Sequence, residues 1–287
     1  MTTTAEPLPD FLAQPSRIGT EITVTGKWVP AGRSGTFRTT AESTAMQAEF
    51  EALHASAEGH PGVLTSEINH AVGGGAVLVH QVFSDADSMV DHYSTAAADH
   101  IAALHAVATP DLHMVRGVEL PLVARSAIGS AGVPTAVGEL RYGYVRDDYR
   151  RPDPDTAVQV TAKWTCTSDD HLDELEYWWQ RVGTDAHDIE QGLVRFEAYR
   201  VPGEAALVIH ETFENSAELK FHLTKGTANR YKKDIDRIAA PEAYYFRGPV
   251  AWTIRTYSKF MRLPATYSTR GSAFTAQGGS ASDGYLV

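Results

Sequence analysis

The sequence predicts an α+β protein in which two ferredoxin-like βαββαβ repeats pack as a pseudo-dimeric α+β barrel within one chain. Three observations lead to this fold class: a colinear internal repeat, the same order of strand and helix patterns in each copy, and a sheet face that each copy alone would leave uncovered. The length of 287 residues is sufficient for two such units, each with its own core.

Short segments of the first half of the chain return in the second half in the same order. Segment 25–28 corresponds to segment 161–164, and segment 76–83 corresponds to segment 206–213. Single residues match as well: Gly62 with Gly192, Glu67 with Glu197 and His92 with His222. Because the order is kept over about a hundred residues, we interpret the pattern as a duplicated domain.

Each copy opens with a strand pattern and continues with a helix pattern. The alternating runs 21–29 and 157–165 are rich in Val, Ile and Thr, which predicts a first strand. The stretches 40–57 and 169–188 follow, and the apolar spacing in the first of them is helical.

The remainder of each copy is predicted as a hairpin, a second helix and a final strand. The hairpin turns are placed at 73–75 and 202–204. The second helix is expected to begin after Ser84 or Asn215, both of which are residue types that cap helices. The final strands are predicted at 112–126 and 243–257.

These patterns divide the chain into four parts. We expect a first repeat at 15–128, a linker at 129–155, a second repeat at 156–262 and a flexible C-terminal tail at 263–287. The sheet face away from the helices is predicted to be apolar, so that the two repeats bury it by packing sheet on sheet. The protein would then be a monomeric pseudo-dimer or a homodimer.

Composition narrows the class of function. The chain has 36 acidic and 25 basic residues and a net charge of -11, which argues against nucleic acid or an anionic membrane as partner. Its one cysteine, Cys166, excludes an intrachain disulfide. No run approaches the roughly 18 apolar residues of a membrane span, and the start of the chain lacks a signal-peptide pattern. We therefore expect a cytoplasmic protein without membrane contact.

Aromatic and polar residues indicate where a ligand would bind. Strand alternation places Gln81 and Phe83 on one sheet face, and Glu211 and Phe213 on the equivalent face of the other copy. The other predicted substrate-binding residues are Trp28 and Trp164 at the ends of the first strands, Tyr93 on the second helix, and Trp178 within an aromatic cluster. A flat aromatic ligand between sheet and helices would suit these walls, although both strand-end tryptophans equally suit a core.

Three further interpretations stay open for the histidines and acids. His80 and His210 alternate to the opposite sheet face, where either hydrogen bonding across the barrel seam or contact with a ligand is expected. Glu211 is a candidate general base if it is buried, and a solvated acid otherwise. The spacing of the 12 histidines predicts no dedicated metal site. It leaves haem on one axial histidine such as His222, or reduced flavin as a co-substrate, as open alternatives to a cofactor-free protein.

Segment 207–223 resembles the antibiotic-biosynthesis monooxygenase family. It has an apolar strand, the acid Glu211, the aromatic Phe213, an acidic turn, and a helix with His222 before Leu223. The first copy carries a weaker form around His92. The resemblance implies a dimeric α+β barrel and places His92 and His222 at the pocket, where a neutral imidazole would accept a phenolic proton.

The tandem arrangement resembles fused relatives that oxidise aromatic polyketides such as anthrones and angucyclines. It implies an oxygenase, either a monooxygenase or a ring-cleaving enzyme, that acts on a polycyclic aromatic metabolite of bacterial secondary metabolism. The partners would be this small aromatic substrate and molecular oxygen, without a tightly bound metal. Anthrone oxygenases carry Asn where this chain has Val79 and Ile209. This departure favours the alternative, a cyclase, isomerase, aromatic-ligand-binding barrel or haem-binding relative.

The two copies differ at positions that face the predicted pocket. Gln81 and Tyr93 in the first copy correspond to Glu211 and Leu223 in the second, and the first has extra residues at 30–34 that would form a lid. We therefore expect a ligand to occupy one half preferentially.

Overall fold

The computed structural model describes residues 8–13, 19, 21–31, 40–118, 120–146, 153 and 155–275. Most of the predicted lid at 30–34, and the part of the predicted tail beyond residue 275, lie outside these residues. Across the described ranges, no helix has the length and apolar character needed to cross a membrane.

The first repeat contains the predicted strands and helices and continues beyond them. Its strands are β1 (Ile22–Pro30), β2 (Val63–Ala71), β3 (Val77–Phe83), β4 (Ala108–Gly117) and β5 (Thr135–Val145). Its helices are α1 (Thr40–Glu58), α2 (Ala86–Ser94), α3 (Ala98–Val107) and α4 (Leu122–Ser130). The predicted second helix is therefore divided into α2 and α3.

The second repeat has the same order of elements. Its strands are β6 (Val158–Cys166), β7 (Leu193–Arg200), β8 (Ala206–Phe213), β9 (Ala239–Arg247) and β10 (Ala265–Thr275). A short 3₁₀ turn (Asp169–His171) leads into α5 (Leu172–Ile189), and α6 (Ser216–Thr224), α7 (Thr227–Ile238) and α8 (Trp252–Phe260) follow. Asn215 caps α6 as predicted, while the α2 cap is Asp85 rather than Ser84.

The ten strands form a closed barrel in the hydrogen-bonded order β1-β3-β2-β10-β9-β6-β8-β7-β5-β4. The predicted α+β barrel is therefore confirmed. By their contacts, the described residues divide into an N unit, formed by those of 20–137 and 266–287, and a C unit, formed by those of 1–19 and 138–265.

Each unit contains a five-stranded antiparallel sheet. In the N unit, β1 pairs with β3 and β4, β2 pairs with β3, and β10 pairs with β2. In the C unit, β6 pairs with β8 and β9, β7 pairs with β8, and β5 pairs with β7. The fifth strand of each sheet thus comes from the end of the other repeat.

These fifth strands correct the predicted linker at 129–155 and tail at 263–287. All of β5 lies in the former and all of β10 in the latter, so both segments are ordered over these strands. The Ser- and Thr-rich sequence of β10 has no apolar periodicity that would reveal a strand. Its order comes from backbone hydrogen bonds to the edge of β2, with Ser268 opposite Ala71 and Arg270 opposite Asn69.

The predicted final strands 112–126 and 243–257 are wrong in their second halves, which form α4 and α8. The strand β9 stops because Gly248 adopts a φ of 111°, a left-handed conformation that favours glycine. The same turn leaves the following residues free to start a helix.

The sheet face away from the helices corrects a second expectation. The apolar core of the N unit lies on the helix side and includes Trp28, Phe50 and Phe83. The opposite face was predicted to be apolar but carries many buried polar groups, and several of these hydrogen-bond one another. In the C unit, for example, Arg195 Nε lies 2.7 Å from Glu197 Oε1.

His80 and His210 lie on this opposite face, as predicted. Each hydrogen-bonds a threonine on the neighbouring strand of its own unit, with Thr25 Oγ1 3.0 Å from His80 Nδ1 and Thr161 Oγ1 3.0 Å from His210 Nδ1. These bonds account for the complete burial of both rings.

Candidate functional site

The same three positions of the repeat form a side-chain cluster in each unit. The two clusters differ in the charge of their histidine. In the C unit the three positions are Glu190 after α5, Glu211 on β8 and His222 on α6. The residues 130 positions earlier are His60, Gln81 and His92 in the N unit. The acid at 190 was not anticipated, although a comparison of the two copies would have paired it with His60.

The C-unit cluster places a histidine between two carboxylates. His222 Nδ1 lies 2.7 Å from Glu190 Oε2, and His222 Nε2 lies 3.1 Å from Glu211 Oε1. The second contact lacks hydrogen-bond alignment and is an ion pair. The other oxygen of Glu190 accepts hydrogen bonds at 2.6 and 2.7 Å from the backbone N–H and hydroxyl of Thr227, where α7 begins.

These contacts make His222 cationic. Burial alone would lower its pKa, but the charges of Glu211 and Glu190, together with the hydrogen bond to Glu190, outweigh burial and raise the pKa to about 10. Burial favours a higher pKa for Glu190, and the hydrogen bond and charge of His222 reverse this and lower the pKa. His222 is therefore an imidazolium at neutral pH, placed between the side chains of Glu190 and Glu211.

The charge of His222 contradicts the neutral imidazole expected from the sequence. Both ring nitrogens face carboxylates, so in this arrangement the ring has no free acceptor for a phenolic proton. The same pairing does not fit axial ligation of haem by His222, which needs an unpaired ring nitrogen. The role of Glu211 as a general base stays a prediction.

In the N unit, the equivalent histidine is neutral. Tyr93 donates its hydroxyl proton to Gln81 Oε1 at 2.9 Å, which turns the amide nitrogen of Gln81 toward His92 Nε2 at 3.3 Å. Burial, and to a smaller extent the neighbouring His60, lower the pKa of His92 to about 4. His92 Nδ1 has no hydrogen-bond partner among the residues that the structure describes.

Most predicted aromatic site residues are buried in the packing of their units. Phe83 and Phe213 are fully buried, with ring centres 5.6 and 5.3 Å from His92 and His222. Trp178 lies away from both cavities described below, and its indole N–H donates to Glu174 at 3.3 Å. The neighbouring Trp179, and not the predicted Trp178, lines a cavity of the C unit.

A groove of about 590 Å³ lies between α2, α3 and α4 of the N unit. We call it the N-unit groove. Among the predicted site residues, Tyr93 lines it. The full set of lining residues is Val90, Tyr93, Ser94, Ala98, Ile101, Ala102, His105, Val123, Ser126, Ala127, Ser130 and Ala131. This volume lies within the range of small-molecule sites.

The equivalent region of the C unit holds a cavity of only about 40 Å³. Its walls include the predicted residue Trp164, together with Trp179 and Tyr244. Larger side chains account for the difference in volume: Lys232, Tyr257 and Met261 line the small cavity, and the residues 130 positions earlier are Ala102, Ala127 and Ala131. The N-unit groove is therefore opened by three alanines.

His105 is a groove residue that the sequence analysis missed. Its Nε2 lies 2.8 Å from the carbonyl oxygen of Ala131. Because a carbonyl only accepts, Nε2 carries the proton and Nδ1 is left as an acceptor. The ring packs edge-on against Trp28 with centroids 5.3 Å apart, so the predicted residue Trp28 supports the groove from behind. Among the residues that the structure describes, the small cavity of the C unit has the apolar Ile235 in its lining and no histidine.

Comparisons with known proteins show the fold. No family model and no curated protein matches the chain. A crystal structure of a proposed monooxygenase from Fusobacterium nucleatum subsp. nucleatum is 11% identical, covers 78% of this chain and 90% of that chain, and has a TM-score of 0.50. An anthrone oxidase-like protein is 10% identical, covers 92% and 97%, and also has a TM-score of 0.50. At these identities the chain shares a fold with oxygenase-like barrels.

Proposed function

We propose that the protein is an oxygenase that binds a flat polycyclic aromatic substrate in the N-unit groove and oxidises it with molecular oxygen, without a tightly bound metal. The observation that carries this proposal is the groove itself, with a volume of about 590 Å³ in one unit against about 40 Å³ in the other. A site that is open in one copy and filled in the other supports a single substrate pocket in the N unit.

The lining of the groove suits an aromatic ligand. Val90, Ile101 and Val123 supply apolar contact area, and the three alanines remove the side chains that fill the other unit. Tyr93 and His105 place polar atoms at defined points of this apolar surface, which is the usual composition of a small-molecule site.

His105 supplies the proton acceptor that such chemistry needs. Its Nδ1 would take a proton from the phenol, or from the acidic methylene of an anthrone-type ring. The resulting electron-rich anion passes electrons to oxygen. The overall reaction converts the methylene and dioxygen into a carbonyl and water, and the substrate supplies all four electrons. This balance requires no other reductant.

Two further lines support the proposal. The residues around His222 resemble the antibiotic-biosynthesis monooxygenase family, and the fold matches a proposed monooxygenase and an anthrone oxidase-like protein. The missing Asn on β3 and β8 is compatible with a site that lies against α2, α3 and α4 and uses His105 instead.

Oxygen uptake with 1,8-dihydroxyanthrone tests the proposal. The wild-type protein should accelerate oxygen uptake above the spontaneous rate. One molecule of dioxygen should be consumed for each carbonyl formed. His105→Gln should lower the rate roughly 10²–10⁴-fold, the range for a positioned acid–base group. His70→Gln, at an exposed histidine of the same unit, should have no effect. An uptake rate equal to the spontaneous rate, or equal loss in both variants, would contradict the proposal.

A further inference from the structure

The polar side chains that line the N-unit groove share one property: each has its proton committed to another protein group. The five residues are Tyr93, Ser94, His105, Ser126 and Ser130. The remaining seven lining residues are apolar. The hydrogen bonds that the groove can form with a ligand therefore depend on which donors and acceptors of these five side chains are still free.

Tyr93 and His105 each donate to a neighbouring oxygen. The Tyr93 hydroxyl donates to Gln81 Oε1 at 2.9 Å, and His105 Nε2 donates to the carbonyl of Ala131 at 2.8 Å. The phenolic oxygen and the imidazole Nδ1 are left as acceptors.

The three serines behave in the same way. Each hydroxyl donates to a backbone carbonyl one turn earlier on its own helix: Ser94 to Val90 at 2.7 Å, Ser126 to Val123 at 3.0 Å and Ser130 to Ala127 at 2.8 Å. Such bonds leave the lone pairs of each serine oxygen for a ligand. The exposed side chains of the groove, which are Ser94, His105, Ser126 and Ser130, thus present acceptors, and the buried Tyr93 hydroxyl adds no free donor.

We infer that the N-unit groove selects aromatic ligands that carry O–H or N–H donors at their edges, that is, polyhydroxylated rings, and disfavours ligands with only carbonyl or ether oxygens. A ligand oxygen that faces an acceptor of the groove forms no hydrogen bond there. It also gives up its hydrogen bond to water, which weakens binding. The inference rests on the proposed function for the location of the site. It also gives a reason for product release, because oxidation adds a carbonyl acceptor to the ring.

Binding without oxygen tests this selection. We would titrate the full-length protein anaerobically with 2,7-dihydroxynaphthalene and with 2,7-dimethoxynaphthalene, which keeps both oxygens but has no donor. The diol should bind at least about 10-fold more tightly, since each hydrogen bond contributes a factor of roughly 2–10. An ether that binds as well as the diol, or a diol without saturable binding, would overturn the inference.

Serine variants locate the effect in the groove. Ser126→Ala and Ser130→Ala should each weaken binding of the diol roughly 3–10-fold and leave binding of the ether unchanged. Ser56→Ala is the matched control, because Ser56 makes the same bond to Leu53 at 2.8 Å outside the groove. Equal changes for both ligands, or no change for the diol, would overturn the inference.

The two proposals can fail separately. Selective binding of the diol combined with no oxygen uptake would leave the acceptor-lined groove in place and contradict the oxygenase. Oxygen uptake combined with no preference for the diol would do the reverse.

Discussion

In the C unit, His222 Nδ1 lies 2.7 Å from Glu190 Oε2, and both side chains are buried. Glu190 also binds Thr227 at the start of α7, so one carboxylate joins the end of α5 to α6 and α7. The N unit has His60 at the position of Glu190, with its ring centre 5.3 Å from His92. The same three positions thus hold a cationic histidine between two acids in the C unit and surround the neutral His92 in the N unit.

Replacing Glu190 should destabilise the C unit. Glu190→Gln removes one carboxylate of a buried ion pair, a change that typically costs about 3–5 kcal/mol of unfolding free energy. Glu204→Gln is the control, because Glu204 is a largely exposed partner of Lys163 and its loss should cost less than about 1 kcal/mol. Urea unfolding measures both. Equal small losses in the two variants would show that the cluster contributes little.

The stability contributed by the cluster should fall as pH rises. The folded pKa of His222 is about 10 and its ordinary value is 6.5, so its contribution is complete below 6.5 and disappears as pH approaches 10. Glu190 has a lowered pKa, so its contribution is complete above 4.5 and is lost in acid. The unfolding free energy of the wild type relative to Glu190→Gln should therefore decrease between pH 7 and pH 10, by at most about 1.4 kcal/mol per unit. A difference independent of pH would contradict a charged His222.

A carboxylate introduced at position 81, the N-unit counterpart of Glu211, should raise the pKa of His92. Gln81→Glu would place a carboxylate next to His92 Nε2, at the site where the amide nitrogen now lies 3.3 Å away. The pKa of His92 should rise from about 4, because an adjacent carboxylate favours the imidazolium. A titration of the imidazole proton resonances by NMR follows this directly. An unchanged pKa would show that burial alone sets the protonation of His92.

Sequence patterns predicted the fold well where local and tertiary preferences agree. The alternation in β1 and β6, the glycine turns of the hairpins, and the cap at Asn215 all appear in the structure. They failed where order depends on a distant partner. The strand β10 is recognisable only through its pairing with β2, and the paired charges of Arg195 and Glu197 make a polar face suitable for burial.

The candidate site was less predictable for a related reason. The sequence analysis concentrated on residues that the two copies share, such as His92 and His222, and these lie behind the cavities in buried clusters. Several groove residues differ between the copies, including Ala127 in place of Tyr257 and Ala131 in place of Met261. An alignment of the copies would have shown these differences, but only the structure shows that they line one space.

The measurement that tests the central claim most directly is oxygen uptake with 1,8-dihydroxyanthrone by the wild type and by Ala127→Tyr. This substitution gives the N-unit groove the side chain that Tyr257 contributes to the small cavity of the C unit. Ala106→Tyr, at an exposed position of α3 outside the groove, is the control. If the groove is the substrate site, the wild type and the control should accelerate uptake equally, and Ala127→Tyr should lose at least about 100-fold of that acceleration, comparable to the loss of a positioned catalytic group. An undiminished rate in Ala127→Tyr, or no acceleration by the wild type, would contradict the account.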